Sequence, residues 1–339
     1  MTTPADVCAI ILTYKNRVDF VNQVVKEALK QGVSRVVIVS NGTDKKVLGQ
    51  IEADDRVIIV PLEKNTGSGA GYSIGFRKAR ETQCSYFWLL DDDNLPAPDC
   101  LEILLKNLDE HADPDAPHKI ALSAYRNDQF KNRKLSIKGN HISLQPAKNS
   151  CHGFHIKKVF KLLRDRTFLR KEENAPPQNL NILEANGAFF GGLFLHRDLL
   201  DKATLPEDDY FVYADDLDFS HRIIQTGARL LLIRDARIDG LDCSIPIASR
   251  KGIFYHSTLD FDQPFRTYYC ARNVEHLTRK YFVTNSFVYY LNVVLFILII
   301  GGMALLRGKL GRFRLVLMGL KDSWTDKLGE KTMFSIDSK

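Results

Sequence analysis

Residues 86–94 read Tyr86-Phe87-Trp88-Leu89-Leu90-Asp91-Asp92-Asp93-Asn94, five apolar residues followed by three carboxylates. The apolar run has the length of a strand that is buried on both faces, as in a parallel sheet. Because side chains alternate along a strand, Asp91 and Asp93 would share one side and Asp92 the other. Adjacent carboxylates repel each other unless a cation or hydrogen-bond donors offset their charge. The stretch therefore predicts a buried strand that ends either in a divalent-metal site or in a solvated acidic turn before Pro96.

The composition is that of an ordinary globular protein with a sizeable core. The chain has 339 residues, of which 45% are hydrophobic and 26% charged, and its net charge is +6. Its length allows one large α/β domain or two smaller ones. The first residues are polar and contain no apolar signal-peptide core. The six cysteines lie far apart without a CxxC pair, which argues against a zinc site or a disulfide scaffold and fits a reducing cytosol.

Strand patterns alternate with helical patterns along the chain. The predicted strands cover residues 7–12, 35–40, 57–60, 86–90 and 229–233. Helical spacing of apolar residues predicts helices over 18–29 and from the glycine cluster near residue 67 to about residue 80. Each early strand ends in a polar loop. This alternation predicts a parallel sheet with a ligand crevice along the carboxyl ends of its strands.

A glycine cluster opens the second predicted helix. The spacing of Gly67, Gly69 and Gly71 is neither the GxGxxG fingerprint of dinucleotide-binding proteins nor a P-loop. Two interpretations stay open. The glycines either expose backbone N–H groups to an anion or a closely approaching ligand, or they allow tight packing of the helix on the sheet.

A second acidic cluster, Asp215, Asp216 and Asp218, begins a helical pattern that ends at Gly227. We expect Asp215 to be the N-cap of this helix, with Asp216 and Asp218 in its first turn. The helix dipole favours negative charge at that position. Capping alone explains one acid well and three less well.

A basic segment interrupts the globular pattern. Residues 126–171 contain thirteen Lys and Arg against two Asp. Within it, residues 156–164 have the spacing of a basic amphipathic helix, which suggests an anionic membrane surface or a phosphate-bearing partner. A solvated helix face is the alternative, and no nucleic-acid-binding motif is present.

A nearly continuous apolar run covers residues 287–306, with basic residues on both sides. Twenty such residues are long enough to span a bilayer. A single span from the cytosol would export the basic residues that follow, against the positive-inside rule. The sequence therefore predicts membrane attachment and leaves open whether this run spans the membrane or is re-entrant or lies in its plane.

Taken in order, these stretches resemble the family 2 inverting glycosyltransferases with the GT-A fold, and among them bacterial galactofuranosyl- and rhamnosyltransferases of surface polysaccharide synthesis. The resemblance covers residues 7–281. One departure is Asn41, where many relatives carry Asp. The matching pieces are residues 11–17, 37–43, 65–71, 90–93, 186–193, 215–218, His256 and residues 269–273.

The resemblance implies an α/β fold of the GT-A type, a Rossmann-like, mostly parallel sheet flanked by helices. It implies a glycosyltransferase domain over residues 1–285, with the basic insert at about 126–175. The C-terminal region, residues 286–339, would be a membrane-associated helical segment.

The resemblance also implies roles for individual residues. Asp216 would be the catalytic base that deprotonates the acceptor hydroxyl. A divalent cation, Mn²⁺ or Mg²⁺, would be held by Asp91, Asp93 and His256. The nucleotide would contact Thr13, Tyr14, Asn16, Arg17, Asn41, Asn65, Gly67, Asp91 and Asp92. The acceptor would contact Gly191, Gly192, Asp215 and Arg222.

The implied donor is UDP-galactofuranose, with dTDP-rhamnose as the second candidate. The implied acceptor is a glycan on a lipid pyrophosphate carrier at the cytoplasmic face of the inner membrane. A sugar-nucleotide pyrophosphorylase would need a glycine-rich loop with Arg after the first strand, where this chain has Thr13-Tyr14-Lys15-Asn16-Arg17. A dinucleotide oxidoreductase would need the missing fingerprint. A non-catalytic, membrane-associated protein that binds a nucleotide or a glycan on the same fold remains the main alternative.

Overall fold

The computed structural model describes residues 1–52, 54–130, 136–157, 180–242 and 257–334. The strands are Val7–Thr13 (β1), Arg35–Asn41 (β2), Val57–Leu62 (β3), Tyr86–Asp91 (β4), Asn94–Pro96 (β5), Ile120–Arg126 (β6), Ser136–Lys138 (β7), His141–Ser143 (β8), Ile182–Ala185 (β9), Leu193–His196 (β10) and Arg229–Gly240 (β11). The helices are Val18–Lys30 (α1), Lys45–Leu48 (α2), Ser68–Ala79 (α3), Cys100–His111 (α4), Asn127–Phe130 (α5), Leu199–Ala203 (α6), Asp215–Gln225 (α7), Pro264–Tyr281 (α8), Ser286–Leu306 (α9) and Leu310–Trp324 (α10).

All these strands belong to one sheet, in the order β3-β2-β1-β4-β10-β6-β11-β9-β8-β7, with β5 paired to β11. Strands β1 to β4, β6 and β11 run in the same direction, so their carboxyl ends lie at one edge. The predicted α/β class is confirmed. The parallel arrangement is not continuous, because β10 runs antiparallel between β4 and β6.

The central strands are buried on both faces. Alternate residues of β1 belong to two different apolar clusters: Val7 and Ile11 to the cluster that contains α1 and α4, Cys8 and Ile10 to the cluster that contains α3 and α7. Helices on both faces explain why these strands are apolar without interruption. Residues 86–90 are all buried, as predicted from their sequence.

Two strands extend more than one residue further than predicted. Strand β3 continues through Pro61, which is tolerated because β3 is an edge strand and the missing N–H of proline breaks no central ladder. Strand β11 continues to Gly240, and in its second half Ala236 and Ile238 are buried while Asp235, Arg237 and Asp239 are exposed. The polar residues that alternate with these two obscured the strand in the sequence.

The C-terminal helices pack on the preceding residues as well as on each other. The boundary predicted between residues 285 and 286 coincides with the start of α9, where Asn285 Oδ1 caps the helix by accepting from the Val288 N–H at 3.0 Å. In α9, Asn292 donates to the Asn149 carbonyl and accepts from the Ile156 N–H, both at 2.8 Å. These polar contacts attach α9 to residues 149–156.

Helix α9 has two different faces. Among the described residues it is the one helix long and apolar enough to cross a membrane. One face packs inward through Tyr289, Val293, Phe296, Ile300 and Ala304. The opposite face exposes large apolar side chains, namely those of Phe287, Tyr290, Leu291, Val294, Leu298, Leu305 and Leu306.

Candidate functional site

The end of β1 contacts the turn that follows β4. Asp92 is 5% exposed, and its carboxylate accepts from Thr13 Oγ1 at 2.9 Å and from the Tyr14 N–H at 3.3 Å. The Arg17 guanidinium lies 3.3 Å from the other Asp92 oxygen. Asn16 is exposed in the same turn. Four of the predicted nucleotide-binding residues therefore lie around or next to Asp92.

Asp91 and Asp93 are bonded to different groups. Asp91, the last residue of β4, pairs with the Arg126 guanidinium at 2.7 Å and accepts from the Tyr72 hydroxyl at 2.7 Å. Asp93 pairs with Arg17 at 3.1 Å and accepts from the amide of Asn94 at 2.9 Å. Strand β4 ends at Asp91, so the predicted alternation of side chains does not continue through Asp92 and Asp93.

Negative charge is in excess at this edge. Arg17 also pairs with Asp242, and Arg126 also pairs with Asp128, both at 2.9 Å. Five carboxylates thus meet two guanidinium groups. Burial raises the pKa of Asp92 to about 7 although Arg17 opposes the shift. Burial and the neighbouring Asp91 likewise raise the pKa of Asp93.

The donor set of this edge fits a hard divalent cation. Such cations prefer carboxylate oxygens, and the excess of negative charge is what a cation would neutralise. Among the described residues no three His, Cys, Asp or Glu side chains are grouped as metal ligands. His256, the third predicted ligand, lies outside the described residues. A cation at Asp91 and Asp93 would have to displace Arg126 and Arg17 from them.

Arg126 was not identified as a site residue from the sequence. It ends β6 and is 7% exposed, beside Asp91 and Asp128. In the sequence it is the first of the thirteen cations of the basic segment. Arg126 directly follows a short apolar run. That position, at the end of a strand-length run, was the signal that could have identified it as a site residue.

Asn41 and Asn65 shape the loop before α3. Asn41 accepts from the Thr66 N–H at 2.8 Å and donates to the Gly67 carbonyl at 2.9 Å. Asn65 Oδ1 accepts from the Gly67 N–H at 2.9 Å. An ionised Asp cannot donate to a carbonyl, so the amide at position 41 has a function in this chain that the Asp of many relatives would not supply.

The glycines of α3 are needed for close packing. A Cβ atom would lie 2.1 Å from the Phe211 carbonyl oxygen at Gly67, and 2.2 Å from that of Glu207 at Gly69. At Gly71 it would lie 2.5 Å from a methyl group of Leu12. The Ser68 N–H at the helix start already donates to the Phe211 carbonyl at 2.8 Å. These contacts favour the packing interpretation of the cluster over an anion site.

Helix α3 brings the two acidic clusters together. Ser68 and Tyr72 lie one turn apart on the same side of the helix. The Ser68 hydroxyl donates to Asp215, and the Tyr72 hydroxyl donates to Asp91. The carboxylates at the end of β4 and at the start of α7 are therefore both bonded to one helix, although they are more than a hundred residues apart in sequence.

The three acids at the start of α7 differ in their surroundings. Asp215 is the first helical residue and not the N-cap as predicted; Ala214, in a left-handed conformation, takes that position. Asp215 is buried against Ser68, and burial raises its pKa to about 6. Burial opposes ionisation of Asp218 too, but Arg222 and Lys280 lower its pKa overall. Asp216 is the only one of the three that is partly exposed.

The predicted acceptor residues are divided between two places. Gly191 lies against the site: a Cβ there would come within 2.8 Å of Asn94, Arg126 and Asp91 atoms. The neighbouring Gly192 joins β4 to β6, since its N–H donates to the Leu89 carbonyl at 2.7 Å.

Arg222 has a structural role. It pairs with the fully buried Asp218 at 2.8 Å and donates to the carbonyl groups of Ala203 and Leu205. Its guanidinium is thus occupied within the protein. An acceptor contact by Arg222 remains a prediction that these bonds do not favour.

Residues 9–159 match the glycosyl transferase family 2. This match confirms the predicted resemblance to the family, and it includes most of β1 and the Asp91–Asp93 turn. The narrower resemblance to galactofuranosyl- and rhamnosyltransferases stays a prediction. No curated protein matches the chain.

Solved structures similar to the chain include S. aureus TarS 1-349, at 14% identity and a TM-score of 0.44, over 80% of this chain and 65% of that one. GalNAc-T7 with UDP, GalNAc and Mn²⁺ is 12% identical with a TM-score of 0.48, over 80% and 47%. The TarS 1-349 complex with UDP-GlcNAc is 14% identical with a TM-score of 0.45, over 85% and 71%. The chain thus covers less than two thirds of the first structure and about half of the second.

Gly67 offers a test of the close contact between α3 and residue 211. Gly67 and Gly227 both have φ = +87°, but only Gly67 has atoms within 4 Å of an added Cβ. Gly227→Ala should lower the free energy of unfolding by about 1–2 kcal/mol, the cost of a left-handed residue. Gly67→Ala adds a collision with backbone in a conformation, φ +87° and ψ 171°, that essentially only glycine adopts, and it should cost more than about 4 kcal/mol. Urea unfolding of the two variants measures the difference, and equal losses would show that the loop yields.

Proposed function

We propose that the protein is a metal-dependent inverting glycosyltransferase that moves a sugar from a nucleotide donor to an acceptor hydroxyl. The family match supports the class of reaction. The observation that carries the proposal is the connection through α3, whose Tyr72 and Ser68 bond to Asp91 and Asp215, and the proposed substrate crevice lies between these two acidic clusters. An inverting displacement needs both a site for the leaving diphosphate and a base on the acceptor side.

Asp216 is proposed as the base. Its neighbours Asp215 and Asp218 are buried, the first against Ser68 and the second between Arg222 and Lys280. A base must reach the acceptor hydroxyl, and the partial exposure of Asp216 suits that requirement. Asp216 would take the proton as the hydroxyl oxygen attacks the anomeric carbon and the bond from that carbon to the diphosphate breaks.

Asp91 and Asp93 are proposed to hold the Mn²⁺ or Mg²⁺ ion, together with His256. When bound, the cation would offset the charge of the departing diphosphate. Arg17 and Arg126 border the same place, and their guanidinium groups can donate to phosphate oxygens once a cation replaces them on the carboxylates. Thr13, Asn41 and Asn65 would line the nucleotide, as the family resemblance implies.

The donor and acceptor remain as the resemblance implies. We propose UDP-galactofuranose as the donor, with dTDP-rhamnose as the second candidate. The acceptor would be a glycan on a lipid pyrophosphate carrier, reached from the cytoplasmic face of the inner membrane. The chain's apolar C-terminal helix supports a membrane-bound acceptor.

We further propose that α9 lies in the plane of the membrane. A spanning helix would be surrounded by lipid, whereas one face of α9 packs on the protein and is bonded to it through Asn292. The opposite face exposes Phe287 and Leu298, at 78% and 65%. An apolar helix with one side packed on the protein and the other side exposed can place its exposed side in one leaflet.

A non-catalytic protein that binds a nucleotide or glycan is the alternative. It would use the same crevice but would not need a base. The first of the following experiments separates the two functions.

Asp216→Asn should lower turnover by ~10²–10⁴-fold, the usual cost of losing a well-placed general base. The amide keeps the size of the side chain, so the dissociation constant of the donor should stay near that of the wild type. Asp208→Asn, an exposed acid on the preceding loop, is the matched control and should change neither quantity. A collapse of donor affinity would make Asp216 a binding residue instead of the base.

Asp93→Ala should abolish Mn²⁺- or Mg²⁺-dependent turnover and weaken Mn²⁺ binding by ~10-fold or more, since it removes one of two carboxylate ligands. Titration calorimetry measures the binding without reference to activity. The exposed Asp115 provides the control, as Asp115→Asn should bind Mn²⁺ like the wild type. Full turnover by Asp93→Ala, or by the wild type in excess chelator, would contradict the metal assignment.

The double variant Val294→Glu, Leu298→Glu should detach the full-length protein from membranes. Each large apolar side chain withdrawn from lipid forfeits ~1.5–3 kcal/mol, so the pair should reduce partitioning by ~10²-fold or more. Vesicle flotation measures this partitioning. High salt alone should not release the wild type, because salt hardly affects apolar burial. Met333→Glu, an equally apolar exposed position off α9, is the control; release by that variant, or by salt, would refute the anchor.

A further inference from the structure

The loop that leads into α7 has an unfavourable backbone conformation. Phe211, Tyr213 and Ala214 have φ values of +64°, +69° and +65°. This left-handed region is disfavoured for residues with a side chain, and such conformations persist only where surrounding contacts impose them. Three of four consecutive residues before Asp215 are in this state, so the loop must be held from outside.

A side-chain amide on α8 makes several of the hydrogen bonds that hold this loop. The Asn273 side chain is fully buried, and its NH₂ group donates to the carbonyl groups of Tyr210, Val212 and Tyr213 at 2.7, 2.6 and 3.1 Å. Its Oδ1 accepts from Arg272 Nε at 2.7 Å, which fixes the amide so that NH₂ faces the loop.

Arg272 adds a second set of contacts. It is 1% exposed and donates to the Tyr210 carbonyl at 2.9 Å and to the Gly329 carbonyl at 2.7 Å. The Gly329 N–H in turn donates to the Asp209 carbonyl at 2.6 Å. Arg272 and Asn273 together bond the loop to α8 and to the residues that follow α10.

The loop determines where the acids of α7 stand. Ala214 is the N-cap, and Asp215 and Asp216 follow it directly. On its other side, the Phe211 carbonyl accepts from the Ser68 N–H at the start of α3, the helix that also contacts Asp91. A change in the loop backbone would therefore move Asp216 relative to the β4 edge.

We propose that Asn273 is a positioning residue for the catalytic base. By holding residues 210–214, of which Phe211, Tyr213 and Ala214 are left-handed, its amide sets the position of Asp216 in the crevice without contacting the substrates. The inference rests on the proposed role of Asp216. Most of the proposed nucleotide contacts lie at the ends of β1, β2 and β4, and Gly67, which packs on Phe211, has bonds of its own to Asn41 and Asn65. Loss of the amide should therefore reduce the catalytic rate and spare donor binding.

The test uses Asn273→Ala in the full-length protein. Misplacing a catalytic group by about 1 Å can cost ~10²-fold in rate, so kcat should fall by ~10–10²-fold while the donor Kd stays within about threefold. Thr278→Val is the matched control, since Thr278 is a buried hydroxyl of α8 that bonds within the helix to the Val274 carbonyl. That variant should keep kcat.

A second substitution separates positioning from general stability. Glycine adopts positive φ without a steric cost, so Ala214→Gly lets the loop take its native shape with less help from the amide. Added to Asn273→Ala, it should restore kcat by roughly tenfold. Hydrogen exchange of residues 209–217 should be faster in Asn273→Ala and slower again in the double variant.

The proposal is overturned if Asn273→Ala keeps its kcat, if kcat and donor affinity fall together, or if Ala214→Gly restores nothing. A wild type that transfers no sugar from any donor would refute the proposed function instead. In that case hydrogen exchange still tests whether Asn273 holds the loop. Unchanged exchange at residues 209–217 in Asn273→Ala would overturn that role, and faster exchange confined to that segment would support it.

Discussion

Electrostatic repulsion at the end of β4 is the constraint on which the rest of the site depends. Asp91, Asp92 and Asp93 follow one another at the exit of a buried strand, and burial makes the ionisation of Asp92 and Asp93 costly. Arg17 comes from the β1–α1 turn and Arg126 from the end of β6, one on each side of β4. Charge pairing therefore fixes the relative position of three strand ends. The negative charge that is not neutralised attracts a cation or a ligand that carries one.

Local patterns were sufficient to predict the parallel half of the sheet. Strands β1, β2 and β4 are apolar runs because helices cover both of their faces, so their burial can be predicted from their composition. Strand β10 could not be predicted in this way. It is short, and its place between β4 and β6 depends on partners that are distant in sequence. The polar residues along β11 concealed its second half for a similar reason.

For the site, too, local sequence predicted some features, and others depended on residues that are distant in sequence. Carboxylates that cluster in sequence, such as Asp91 to Asp93 and Asp215 to Asp218, were recognisable as candidates. The partners of these carboxylates were not predictable, because Ser68, Tyr72 and Arg126 approach them only in the folded chain. Asn41 shows the limit of family resemblance: its amide donates to Gly67 as well as accepting from Thr66, a local requirement that only the structure reveals.

The bond between Arg272 and Gly329 has a consequence for the synthesis of the chain. The loop at residues 210–214 is translated more than a hundred residues before Gly329, yet residue 329 contacts both Arg272 and Asp209. During translation, the half of the sheet made of β1 to β4 can form while this loop still lacks part of its support. The start of α7, where the proposed base Asp216 lies, is thus fully supported only after most of the chain has been made, and later than the strand ends that carry most of the proposed nucleotide contacts.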